Sequence, residues 1–272
     1  MTSMDILAVV ASPEQESVFL AAEALAKRWK GRVSVLYLAR EAEPITGDPF
    51  YTASLWAELV KEARVTAQKE FAAVRARAER IDASVEVRSE PVYISTAEDV
   101  AGRHALHADL AIMQTPKADH EERAFEGALF RSGRPVLLLP PDWRGGAIGK
   151  HVLVAWKAKR EAARALADAA PFLAGSEHTV VATVDAQPEG DGARPGQGVT
   201  MHLARKGVKV ELRNIDGLGR TAEAALIDEA KTIGADLLVM GGYGHSRLRE
   251  FVFGGVTRAI SRACPIPVLM SH

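Results

Sequence analysis

The chain reads as an α/β protein built from two tandem, doubly wound, five-stranded parallel sheets. Three observations predict this. Short apolar runs rich in β-branched residues alternate with helical stretches, the series breaks at a proline- and glycine-rich segment and starts again, and landmarks of the first half recur in the second. A length of 272 residues leaves room for two domains of ordinary size, and 47% hydrophobic with 25% charged residues is the composition of a globular protein.

In the first half, Ile6 to Val10 is an apolar run suited to a buried parallel strand. From Pro13 to Lys30 the pattern turns helical: Val18, Ala21, Ala22, Leu25 and Trp29 recur at three- and four-residue steps, and Gly31 stops the helix. Val33 to Leu38 is the second strand. A loop with Pro44, Gly47 and Pro49 leads into a long helix over about Thr52 to Arg80. Val85–Val87 is a short third strand before Pro91. Ser95 is placed to cap a helix running to His107, with Glu98 as the other half of a capping box. Leu110 to Met113, a helix over about Glu121 to Ser132, and Pro135 to Leu139 complete the first domain, residues 1–139.

Pro140-Pro141-Asp142-Trp143-Arg144-Gly145-Gly146 interrupts all periodicity, so residues 140–149 read as a linker and 150–272 as the second domain. Val152 to Trp156 echoes the first strand. A helix from about Arg160 to Leu173, the strand Thr179 to Val184, a glycine- and proline-rich loop from Pro188 to Gly198, and an alternating strand Val208 to Leu212 follow. Thr221 is positioned to cap a helix to about Ile233, which Gly234 ends. Ala108-Asp109-Leu110 with Met113 matches Ala235-Asp236-Leu237 with Met240, and Pro135-Val136-Leu137 matches Pro267-Val268-Leu269. The offsets, 127 and 132 residues against 146 for the first strands, place a loss of about 19 residues early in the second copy, where the long helix has a shorter counterpart. They also place five extra residues in the segment after Met240.

That segment is Gly241-Gly242-Tyr243-Gly244-His245-Ser246, with Gly254-Gly255-Val256-Thr257 ten residues beyond Gly244. A strand running into glycines and then into a helix start leaves backbone N–H groups free to face an anion, and glycine lets the backbone approach a ligand closely. The same pattern, read blandly, is a strand-to-helix turn. Gly241, two residues, Gly244, nine residues, Gly254 resembles the nucleotide-binding signature of the universal stress protein (UspA-like) family. The strand wording Ala-Asp-Leu-Leu-Val-Met before it and Cys264-Pro265-Ile266-Pro267-Val268-Leu269 at the close fit the same family. The second domain resembles it throughout, the first in element order but not in signature.

The resemblance implies a stress-responsive regulatory module, not an enzyme, that binds ATP (with Mg²⁺ as companion ion) or a related adenine nucleotide outside the carboxyl ends of the strands. It implies a pairing of last strands that makes a tandem chain its own pseudo-dimer, with a homodimer of chains as a further option. Carried over by position, Gly241 and Gly244 wrap ribose and phosphates, and Gly254, Gly255, Val256 and Thr257 offer N–H groups and a hydroxyl to the phosphates. Met240 packs near the sugar, His245 is placed to touch a phosphate, and Ala155, Trp156, Lys157 and Val184 hold the base.

The sequence departs from the binders at two places. Lys157 stands where they carry an acidic residue after the first strand, and an ammonium only donates. Gly255 stands where they prefer Ser or Thr, so a hydroxyl is missing that Thr257 would partly replace. In the first domain Gln114-Thr115-Pro116-Lys117-Ala118-Asp119-His120 carries no glycine at all, and nucleotide binding is not expected there. The alternative reading is therefore an interaction or scaffold member of the family without nucleotide, and a third is slow ATP hydrolysis, for which Glu250 alone is thin support.

Other residue types give weaker signals. His104 and His107 lie three apart on a helix without a third ligand. Asp109 and Asp236 begin the fourth strand of each copy and read as structural caps, not as a catalytic pair. Cys264, the single cysteine, excludes an intramolecular disulfide and cysteine-based metal clusters, and reads as a packing residue. A net charge of −1 gives no field for nucleic acid or anionic lipid. Met1 to Asp5 lacks a basic n-region, and no apolar run approaches the roughly 20 residues that span a bilayer, so a cytoplasmic protein without membrane or nucleic-acid partners is expected.

Overall fold

A computed structural model describes residues 3–43, 53–188, 193–242 and 255–272. The chain divides into two compact units, Met1–Arg134 and Pro135–His272.

The first unit runs β1 (Asp5–Val10), α1 (Glu16–Trp29), β2 (Arg32–Arg40), α2 (Ala53–Ala78), β3 (Ser84–Val92), α3 (Ile94–Ala105), β4 (Leu110–Gln114) and α4 (Asp119–Arg131). Its strands are parallel in the order β3-β2-β1-β4. The central strand β1 is buried from Ile6 to Val10, as its continuous apolar run requires once helices cover both faces. β3 is longer than the short strand expected, because Pro91 sits opposite Ala39 on a strand that pairs only with β2 among the described residues, where a missing N–H costs no ladder bond. The cap of α3 also differs from expectation. Tyr93, not Ser95, precedes the first turn, its N–H donates to Thr96 Oγ1 at 3.0 Å, and Glu98 is drawn instead to Arg131 Nε at 2.8 Å. Gly127 of α4 allows α3 and α4 to touch: a Cβ there would stand 1.9 Å from the Glu98 carbonyl oxygen.

The second unit runs β5 (Val136–Leu139), β6 (His151–Ala155), α5 (Arg160–Asp168), α6 (Ala170–Leu173), β7 (His178–Val184), α7 (Gln197–Arg205), β8 (Val210–Ile215), α8 (Ala222–Thr232), β9 (Leu237–Gly241), α9 (Gly255–Ala263) and β10 (Val268–Ser271). The strand order is β5-β10-β9-β6-β7-β8. All neighbours in it are parallel except β5 and β10, which pair antiparallel with Val136 opposite Met270 and Leu138 opposite Val268. The sequence counts β5 with the first domain, and its antiparallel partner β10 is the last strand of the second, which is the pairing of last strands that the resemblance implies.

Two other expectations shift here. The single helix from Arg160 to Leu173 is two, since Pro171 has no N–H to donate and lies in the first turn of α6. Thr221 occupies the position before α8 with extended backbone, yet its hydroxyl makes no capping bond. Gly234 does end α8 with φ +61°, and the following N–H, of Ala235, reaches back to Ala230 O at 2.8 Å.

The repeated aspartates explain how each sheet starts. Asp109 accepts from the Asp5 N–H at 2.9 Å, and Asp236 accepts from Gly149 at 2.6 Å, Lys150 at 3.0 Å and His151 at 3.3 Å. Each carboxylate satisfies N–H groups at the head of the first strand, where no ladder partner exists. They are structural, as their repetition suggested.

Candidate functional site

In the second unit β6 lies between β7 and β9, so the crossovers leave it in opposite directions. That makes the carboxyl ends of β6 and β9 the topological switch point, where open α/β sheets hold ligands. The register brings the expected residues to it. Ala155 stands opposite Met240 on one side and Ala182 on the other, and the Trp156 N–H extends the β6–β7 ladder to Ala182 O at 2.8 Å. Val184 ends β7, two residues beyond Ala182, and is half-buried. Trp156 is half-buried and Lys157 exposed, while Met240 is buried in the sheet.

Gly241 has a structural reason to be glycine. A Cβ on it would stand 2.6 Å from the Ala162 nitrogen and 2.6 Å from the Glu161 carbonyl carbon, so the first turn of α5 rests directly on the end of β9. Close approach of two backbones, not a left-handed φ, is what the residue provides. The Gly242 N–H donates to Ser271 O at 2.8 Å, and its carbonyl oxygen lies 3.0 Å from His272 Nδ1, which ties the loop's entry to the end of β10. The buried Ser271 hydroxyl beside it has no partner among the described residues.

On the far side of the loop α9 begins at Gly255, which is exposed and where a Cβ would meet nothing within 4 Å. Val256 is half-buried. Thr257 is buried, 6% exposed. Gly244, His245 and Gly254 lie outside the described residues, as do Arg247, Arg249 and Glu250.

The family model described as "Universal stress protein family" matches residues 149–272. The likeness to that family covers most of the second unit. A universal stress protein of Synechocystis sp. is 39% identical over 67 residues, a stretch that is 25% of this chain and 22% of that protein's length. The crystal structure of a universal stress protein from Archaeoglobus fulgidus DSM 4304 superimposes with a TM-score of 0.64 at 17% identity, covering 99% of this chain and 96% of that one. A putative universal stress protein from Pseudomonas aeruginosa UCBPP-PA14 gives 0.61 at 14% identity, covering 99% and 93%. At such identities the two structures establish a shared fold across both units.

Within the second unit, sequence reasoning missed Glu161. It is the second residue of α5 and 7% exposed, with its Cβ 2.9 Å from the place a Gly241 Cβ would take. Burial pushes its carboxyl up, but the Arg160 bond at 2.7 Å, its own N–H and the charges of Arg160 and His272 outweigh that and hold it below the usual carboxylate range. The signal was present in sequence: an acidic residue in the first turn of the helix that follows the first strand, where the helix N-terminus favours negative charge. A carboxylate therefore stands in the first turn of α5, against the end of β9.

The first unit builds the same junction differently. Gln114 holds the place of Gly241, and its amide Nε2 donates to Ser17 Oγ of α1 at 2.9 Å in a buried contact. Beyond it Glu121 accepts from the Lys117 N–H at 2.7 Å, the Ala118 N–H at 3.0 Å and Gln15 Nε2 at 2.7 Å, while Gln15 Oε1 accepts from the Ala11 N–H at 2.8 Å. The N–H groups that would face an anion are held by the chain's own carboxylate.

Elsewhere, His104 pairs with Glu90 at 3.3 Å, and no group of three or more His, Cys, Asp or Glu among the described residues is arranged to hold a metal. Cys264 is buried, and burial raises its thiol above the ordinary value. No helix among the described residues is long and apolar enough to cross a membrane.

Proposed function

We propose that the second unit is a nucleotide-responsive regulatory module that holds ATP or a related adenine nucleotide at the switch point, without catalytic turnover. The observation that carries this is the convergence of Ala155, Trp156, Met240 and Gly241 at adjacent strand ends, with the open start of α9 beyond the loop. Ala155, Trp156, Lys157 and Val184 would border the base and Met240 the sugar. Gly241, Gly244 and His245 would follow the ribose and phosphates, and Gly254, Gly255, Val256 and Thr257 would present N–H groups to the phosphates. The nucleotide would supply the charge that such a cradle of N–H groups is suited to receive, and Mg²⁺ would be carried on its phosphates. Burial of Thr257 favours a second reading, a scaffold member without nucleotide, since the hydroxyl that should replace the one missing at Gly255 belongs to a buried residue.

Calorimetric titration of the full chain with ATP and with ADP separates the two. Saturable heat at one nucleotide per chain, abolished by Gly254→Val, is expected; no heat at millimolar nucleotide establishes the scaffold reading. Gly241 is a poor choice for this test, because any side chain there strikes α5 before it could affect a ligand. Steady Mg²⁺-dependent phosphate release that survives repurification would overturn the non-catalytic reading.

A further inference from the structure

The helix that follows the first strand has the same burial pattern in both units until one face is compared. Counting from the first helical residue, Phe19 of α1 corresponds to Ala163 of α5, Ala26 to Ala170 and Trp29 to Leu173. Phe19 is fully buried, and Arg77 from the last turn of α2 lies over its ring at 5.1 Å while pairing with Glu16. In the second unit Ala163, Ala167 and Ala170 are exposed. The helix that should cover them, α7, has nine residues where α2 has 26. A cavity of about 490 Å³ remains between α5, α6 and α7.

Its walls are Leu166, Leu173, Val199, Leu203 and Val208 with those alanines, and Trp156 also lines it. The polar side chains in its lining are His202 and Lys206, one turn apart, and no carboxylate lines it among the described residues. Along α5 and α6 its lining runs from Ala163 to Ala174. An apolar cleft of this volume falls in the size range of small-molecule sites, and a rim of one sign selects the head group of what enters.

We infer that this groove binds an amphipathic carboxylate of the fatty-acid class, its chain laid along the alanines of α5 and its head group at Lys206 and His202. The site is separate from the strand-end crevice but shares Trp156 with it, so occupancy is read by that indole. Titration of the full chain with palmitate below its aggregation concentration should change tryptophan fluorescence saturably, and Trp156→Phe should remove most of the change. Hexadecanol and hexadecyltrimethylammonium, with the same chain and a neutral or cationic head, should bind about tenfold more weakly or worse. Lys206→Glu should weaken palmitate about tenfold while leaving hexadecanol unchanged. Ala163→Phe, which restores the side chain that fills this space in the first unit, should abolish palmitate binding with the thermal midpoint unchanged or raised. The proposal is overturned if palmitate gives no saturable signal, if the three head groups bind equally, or if Ala163→Phe binds like the parent. It is also overturned if sedimentation shows a concentration-dependent dimer that Ala163→Phe dissociates, because a second copy then fills the groove.

Discussion

One junction occurs twice in this chain, and its two versions are satisfied in opposite ways. In the first unit the end of β4 meets α1 through a side-chain bond, Gln114 to Ser17, and Glu121 takes up the N–H groups ahead of α4. In the second unit the end of β9 meets α5 through bare backbone at Gly241, and α9 opens on a glycine with free space around it. A buried N–H must find an acceptor. Where the chain supplies a carboxylate, a ligand has nothing to add. The first copy is thus closed by the chain's own carboxylate, while the open copy begins its helix on an exposed glycine.

The largest expected effect comes from erasing the difference at the strand end. Gly241→Ala inserts a methyl group against the backbone of Glu161 and Ala162, contacts that cannot move without shifting α5, and overpacking of this kind costs about 1–3 kcal/mol. Urea unfolding followed by circular dichroism should show a lower midpoint. In the first unit Gln114→Ala removes a single buried hydrogen bond and should cost about 1 kcal/mol. Equal effects from the two variants would mean that α5 does not rest on Gly241.

The next effect sharpens the open copy. Gly255 is exposed, a Cβ on it would meet no atom within 4 Å, and it has no left-handed φ to strain, so Gly255→Ser is free to place a hydroxyl at the start of α9. If nucleotide binds there, the added donor should tighten ATP about tenfold, equivalent to about 1.4 kcal/mol, by calorimetry against the parent. A variant no tighter than the parent would place the phosphates elsewhere.

How much of this was legible in the sequence follows from what each residue depends on. The alternation of strands and helices, the duplication and the capping role of Asp109 and Asp236 rest on local pattern and repetition, and were readable. The pairing of β5 with β10 came from the family resemblance and not from the residues, since Val136 to Leu139 carries the same apolar signal whichever strand it pairs with. Nor was the reason for Gly241 readable: spacing marks it as a loop glycine, whereas the contact that demands it comes from Glu161 and Ala162, far earlier in the chain. Glu161 itself was passed over because the expected acid belonged at the strand end, one helical turn before it. The groove beside α5 is invisible to any reading of one helix, since it is made by the shortness of another.

Breaking the closed copy should have a smaller effect. Glu121→Ala frees the Lys117 and Ala118 N–H groups and the Gln15 amide, and loss of such a cap costs about 1 kcal/mol. The pyrrolidine of Pro116 and the short loop remain, so no nucleotide site should appear: calorimetry on Glu121→Ala should still give one nucleotide per chain. A second equivalent would show that the carboxylate alone had kept the first copy closed.

The smallest effect is a pH dependence confined to the first unit. His120, the second residue of α4, is 7% exposed; burial lowers it from the ordinary 6.5, Arg40 adds to this, and Glu121 and Asp119 oppose it. A histidine whose folded value is lowered binds its proton more readily when unfolded, so its contribution to stability is present above pH 6.5 and lost as the pH falls toward the folded value. The buried Glu126 of the same helix acts in the opposite sense: burial raises its carboxyl, so what it contributes is present at acid pH and lost as the pH rises through its folded value. The two slopes partly cancel, and the parent's profile alone would not distinguish them. His120→Gln removes one and keeps the other. Thermal midpoints measured from about pH 5 to 8 should fall less steeply on acidification in His120→Gln than in the parent, and parallel profiles would mean that His120 is not buried in its neutral form.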